Sequence, residues 1–118
     1  MHMSTKTILQ LSVPERKKKS DNLRQSNPER IPILLIAVNE SWDFPMLLIN
    51  KNLSFLDILK FLKKQVDVRP NHSITMSCSN RIISPDKIVK VIDELDKSED
   101  GFLNVKVMTV ETNGGFLQ

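Results

Sequence analysis

The hydrophobic period of this chain changes four times between Ile31 and Val110, and that succession limits the folds open to it. Ile31 to Val38 reads IPILLIAV, a short continuous apolar run of the kind a strand shows when both its faces are covered. Phe44 to Ile49 is a second apolar run. Asn39-Glu40-Ser41-Trp42-Asp43 separates the two and Asn50-Lys51-Asn52 closes the second, so together they read as a hairpin. From Leu53 to Val66 the period becomes helical. Phe55, Ile58, Leu59 and Leu62 form one stripe, Phe61 widens it, and Lys60, Lys63 and Lys64 take the polar side. After Arg69-Pro70-Asn71, Ser73 to Ser79 alternates again, with Ile74, Met76 and Cys78 inward. Ser84-Pro85-Asp86 predicts the start of a short helix whose apolar face is Ile88, Val91, Ile92 and Leu95. Asp100-Gly101 turns the chain, and Phe102 to Val110 alternates through Leu103, Val105, Val107 and Val110.

The N-terminal quarter differs in character. Residues 1–12 show no clear period and are expected to form a flexible arm. Pro14 suits a first helical position, and Glu15 to Gln25 reads as a short basic helix ended by Ser26-Asn27-Pro28. Residues 1–30 hold seven Lys/Arg and three Asp/Glu, a net +4, against ten and eleven, a net −1, over residues 31–118. The surplus sits around Arg16, Lys17, Lys18 and Lys19. Such a patch suits an anionic surface or an acidic partner, or it is simply a solvated helix face.

The resulting order is helix, then β-β-α-β-α-β. It predicts an α+β fold of the ubiquitin-like β-grasp type, a four-stranded mixed sheet with a central helix, preceded by an N-terminal helical segment. At 118 residues, with 40% hydrophobic and 26% charged, one soluble domain is expected over 13–113, with a glycine tail at 114–118. One cysteine permits no intrachain disulfide, which fits a reducing compartment. No apolar run approaches the ~20 residues of a membrane span.

Two motifs in register add a family. Leu23-Arg24 followed by Pro28-Glu29-Arg30-Ile31-Pro32-Ile33-Leu34, and Glu99-Asp100-Gly101-Phe102-Leu103-Asn104 followed by Gly114-Gly115, make the chain resemble the GABARAP and microtubule-associated light chain 3 family of autophagy modifiers over roughly residues 13–115. The resemblance implies a modifier, not an enzyme, that a cysteine protease trims after a glycine. Activating and conjugating enzymes then carry that glycine to phosphatidylethanolamine. Gly115 or Gly114 would be the conjugated end and Phe116-Leu117-Gln118 the removed extension. Glycine lacks a Cβ, which lets an extended tail enter a narrow catalytic channel. Cytoplasmic residence is implied, moving to the autophagosomal membrane on lipidation.

The resemblance also implies a surface for cargo receptors bearing short aromatic-x-x-aliphatic motifs. Such a peptide would add a strand along Met46 to Ile49. A first pocket would use Leu23, Pro32, Leu34, Met46, Leu48 and Phe102, and a second Leu47, Ile49, Ile58 and Phe61. The same residues also read as ordinary core. Lys19, Met46, Asn50, Gln65 and Asn113 depart from the family's usual residues, marking a divergent member.

Other classes are separable. Ser84-Pro85-Asp86 is shared with the branch of autophagy modifiers that joins a protein lysine. A non-covalent β-grasp interaction module would tolerate loss of Gly114 and Gly115. With no Tyr and one Trp, the chain lacks the aromatic-plus-basic sheet of nucleic-acid readers, so no nucleic-acid partner is expected, and the chain is expected to be a monomer. No catalytic constellation, metal spacing or phosphate loop is visible, and no cofactor is expected. His2 and His72 are the only histidines, and Cys78 reads as core.

Overall fold

The structure, a computed structural model, describes residues 3–112. In chain order its elements are α1 (Thr5–Leu9), α2 (Val13–Ser26), β1 (Arg30–Ala37), β2 (Leu47–Asn50), α3 (Phe55–Gln65), β3 (His72–Cys78), β4 (Arg81–Ile82), α4 (Val89–Asp96) and β5 (Leu103–Glu111). The strands form one sheet in the order β2-β1-β5-β3-β4. β1 and β5 pair in parallel, Ile33 opposite Leu103 through Ala37 opposite Val107. The other neighbours are antiparallel. This is the β-grasp arrangement expected from the sequence.

The uninterrupted apolar run of β1 has the expected cause. Ile31, Ile33 and Leu35 face one cluster with Phe55, Ile58 and Leu62 of α3, while Leu34 faces the opposite side with Ile8, Met46 and Phe102. The sheet is therefore covered by α3 and α4 on one face and by α1 and α2 on the other. Buried on both faces, the strand has no room for polar residues.

Several boundaries and faces differ from the sequence reading. Residues 3–12 are not a featureless arm. Ser4 caps α1 by accepting from the Thr7 amide, and Ile8 and Thr5 are buried. The sheet has five strands rather than four. Ser79 (φ 49°) and Asn80 (φ 64°) make a two-residue turn that brings Arg81 opposite Cys78. That is the left-handed geometry of a tight hairpin, and Ser-Asn carries a weaker signal for it than Asn-Gly. β2 begins at Leu47, not Phe44, because Phe44 and Met46 bond outward to the N-terminal segment.

The second predicted helix is also shifted. Ser84-Pro85-Asp86 forms a turn and α4 starts at Val89. The Pro85 and Lys87 carbonyls accept from the Leu56 and Phe55 amides. They satisfy the orphan donors at the start of α3, whose own cap residue Ser54 makes no side-chain bond there. Carbonyls used in that way leave the 85–87 segment outside the helix. The inward face of α4 is Val89, Ile92 and Asp93, leaving Ile88, Val91 and Leu95 exposed. Along β5 the inward series ends on Thr109, not Val110. Asn39 claims that position by donating its side-chain amide to the Thr109 carbonyl (2.8 Å) and accepting from the Thr109 N–H (3.0 Å).

Candidate functional site: the β2 edge

β2 is an edge strand, and its two faces carry different groups. In the β1–β2 ladder Ile31 faces Ile49, Pro32 faces Leu48 and Ile33 faces Leu47. The Lys51 amide donates to Glu29 at 2.9 Å. Antiparallel pairs alternate between bonded and non-bonded positions, so Leu47 and Ile49 bond inward to β1. Met46 and Leu48 then turn their backbone groups to the outer edge, where the Met46 amide donates to the Met3 carbonyl. Pro32 lies opposite Leu48 in a non-bonded position, where its missing N–H costs no ladder bond.

The structure gathers most residues assigned to the first group. Leu34, Met46 and Phe102 are buried together, with Leu23 of α2 and Leu48 packed against them, half-buried. Pro32 is buried nearby in β1. On the other face Ile58 is a buried floor, with Leu47, Ile49 and Phe61 half-buried around it. Two apolar groups thus flank one open strand edge on opposite sides. The sequence reading missed Ile8, which is 0% exposed within the first group. Two caps in the sequence signal that the segment carrying it is ordered. They are Ser4 before Thr5, and Ser12 with Glu15, whose carboxylate accepts from the Ser12 amide while its own amide donates to the Ser12 hydroxyl. The Ser12 backbone N–H, and then its hydroxyl, hold the exposed Glu15 carboxyl below its usual pKa.

α2 is positioned over this site by a latch at its inner face. Arg24 donates to both carboxylate oxygens of Asp93 at 2.8 Å and, through Nε, to the Gly101 carbonyl at 2.9 Å. The Ser20 hydroxyl donates to the Asp100 carbonyl at 2.6 Å. Arg16 donates to the Asp100 carboxylate at 3.0 Å and to the Leu9 and Leu11 carbonyls. Arg16 is therefore a tether, which removes it from the predicted basic patch. Lys17 pairs with Asp21 at 2.7 Å, and Lys18 is exposed and Lys19 half-buried. Gly114 and Gly115 lie outside the described residues.

Cys78 is buried, and its thiol donates to the Asn104 carbonyl at 3.3 Å. Burial, and then the negative charge of Asp96, push its pKa up to about 12, against a partial opposing effect of Arg81. Only a thiolate is an effective nucleophile. Native Cys78 should therefore react with iodoacetamide at pH 8 at least about 100-fold more slowly than the urea-unfolded chain, read by intact mass. Comparable rates would contradict this account. Among the described residues no group of three or more His, Cys, Asp or Glu is placed to hold a metal. No described helix is long and apolar enough to cross a membrane.

The sheet order, the central helix and the two-helix N-terminal extension define a ubiquitin-like protein with an added helical cover. No protein-family model matches the chain. The chain is similar to autophagy-related protein 8 of Schizosaccharomyces pombe, at 26% identity over 107 residues, covering 87% of this chain and 88% of that one. Its fold matches the crystal structure of Trypanosoma brucei ATG8 with a TM-score of 0.76 at 21% identity, over 90% of this chain and 95% of the other. The chain is thus similar in sequence to an autophagy-related protein 8 and similar in fold to an ATG8.

Proposed function

We propose that this protein is an autophagy modifier that is processed after Gly115 or Gly114 and conjugated to phosphatidylethanolamine. On autophagosomal membranes it recruits partners through short aromatic-x-x-aliphatic peptides. The observation that carries the recruitment reading is the outer edge of β2 at Leu48, flanked by one apolar group on each face of the strand. An extended peptide adding to that edge places alternate side chains on opposite faces. One side chain would therefore meet the Leu23, Pro32 and Leu48 group and another the Leu47, Ile49 and Phe61 group. The partners are a processing cysteine protease, the activating and conjugating enzymes, and receptors carrying the motif. The protein itself supplies a reactive carboxylate and a docking edge, and starts as a cytoplasmic monomer.

The test is the intact mass of the full chain after incubation in cytosolic extract of its own source, beside a Gly114→Ala/Gly115→Ala variant. The expected result is loss of the residues after one glycine, absent in the variant, followed by a mass gain equal to the lipid. A gain on a lysine of another protein would move the chain to the protein-conjugating branch. An unchanged mass in an extract that processes a relative would make it a non-covalent interaction module.

A further inference from the structure

The edge just ahead of β2, from Phe44 to Met46, is already occupied by the chain itself. The Thr5 amide donates to the Phe44 carbonyl at 2.7 Å, the Met46 amide donates to the Met3 carbonyl at 3.0 Å, and Ser4 faces Pro45 as an antiparallel bridge. The segment then turns into α1, and Ile8 enters the apolar group of Leu34, Met46 and Phe102. Met3 to Ile8 therefore does the two things an incoming peptide would do. It pairs with the edge through one antiparallel bridge, and it seats an aliphatic side chain in the first group.

We propose that Met3–Ile8 is an autoinhibitory strap, an intramolecular competitor that a peptide ligand must displace. This rests on the peptide-docking reading above. The competition is stoichiometric, because Met46 has one N–H and cannot serve both the Met3 carbonyl and a ligand carbonyl. The strap is built to be removable. α1 has five residues, far below the length at which an isolated helix holds together. Thr5 Oγ1 is buried without a hydrogen-bond partner, so the seated state carries an unmet polar group. Besides the two edge bonds, the strap is held by Lys6, whose amide donates to Asp43 at 3.0 Å, and by the Arg16 bonds to Leu9 and Leu11. These are few enough for a peptide of comparable contacts to replace.

Thr5→Pro isolates the edge contribution. Thr5 is the first residue of α1, where proline is tolerated. Ser4 at φ −74°, ψ 157° has the extended geometry that precedes proline, and the lost hydroxyl bonds to nothing. Ser4→Cys/Pro45→Cys does the opposite. Bridge partners on adjacent strands lie within disulfide reach, so oxidation pins the strap, and buried Cys78 stays out of the exchange.

The readout is fluorescence anisotropy of a labelled aromatic-x-x-aliphatic peptide against the full chain, with thermal melts confirming that each variant is folded. Thr5→Pro should bind about fivefold tighter than wild type, the effect of one hydrogen bond. The oxidised double cysteine should bind at least about tenfold weaker, and reduction should restore it. Equal affinities across all forms would overturn the strap and leave the docking reading standing. No binding by any form, the reduced and Thr5→Pro proteins included, would overturn the docking reading and the strap with it.

Discussion

Gly101→Ala is expected to destabilise the protein by about 3 kcal/mol or more, enough to lower the melting temperature by over about 10 °C. Two effects add. Gly101 has φ +83°, in the region where a Cβ costs about 1–2 kcal/mol. A Cβ placed there would lie 2.0 Å from the Ser20 hydroxyl oxygen and 3.0 Å from its Cβ. Neither neighbour is the loose end of a long side chain. Ser20 is fully buried in α2, and its hydroxyl is committed to the Asp100 carbonyl. Relief requires α2 to lift from the start of β5. That movement would open the seam in which Leu23 and Phe102 lie against Leu48, so peptide affinity should fall together with stability. Urea melts of Gly101→Ala, Ser20→Ala and the double variant check the cause. Removing the hydroxyl should return part of the loss, because the closest contact goes and the φ cost stays. A single variant within about 1 kcal/mol of wild type would show that α2 is not seated closely on this turn.

This seam also marks the boundary between what the sequence discloses and what it hides. The β-grasp order was legible because it rests on period: a double-faced run at Ile31–Val38, a helical stripe at Phe55–Leu62 and alternation from Leu103. Those patterns record which faces are covered, and burial is what selects them. Ile58 and Phe61 were legible as part of an apolar face for the same reason, since they lie on the stripe of α3, whereas their grouping with Leu47 and Ile49 came from the family resemblance. Ile8 was not legible, because a five-residue helix is too short to show a period and its burial depends on Leu34, Met46 and Phe102, all distant in the chain. The short strand β4 rests on the left-handed backbone of Ser79 and Asn80, which has no side-chain period at all. The start of α4 was misplaced because the Pro85 and Lys87 carbonyls serve α3, a tertiary use that local cap signals do not encode. Asp93 lies outside the apolar set Ile88, Val91, Ile92 and Leu95 that the period picks out for this helix. It is buried because Arg24, sixty-nine positions earlier, reaches it. Local pattern reports amphipathic faces well, and reports poorly any polar residue whose burial depends on a distant charge.

That pair gives the second large effect. Asp93→Ala should cost about 3 kcal/mol, because it leaves the Arg24 guanidinium partly buried without its counter-charge. The side chains of Arg24 and Asp93 are 23% and 11% exposed, and two parallel bonds of 2.8 Å join them in the bidentate geometry that guanidinium and carboxylate favour. Asp93→Asn keeps the shape and one acceptor, so it should cost less than the alanine. The informative comparison is Arg24→Met/Asp93→Leu. Removing both charges removes the burial penalty with the attraction, so the double variant should be more stable than Asp93→Ala alone. It should still fall somewhat below wild type, since the Gly101 carbonyl loses the Arg24 Nε donor. A double-mutant cycle in urea should return a coupling of about 2 kcal/mol that barely changes between 0.05 and 0.5 M salt, because a pair this far from solvent is weakly screened. A coupling near zero, or one erased by salt, would place the pair among surface contacts and leave the orientation of α2 to apolar packing and the Ser20 bond alone.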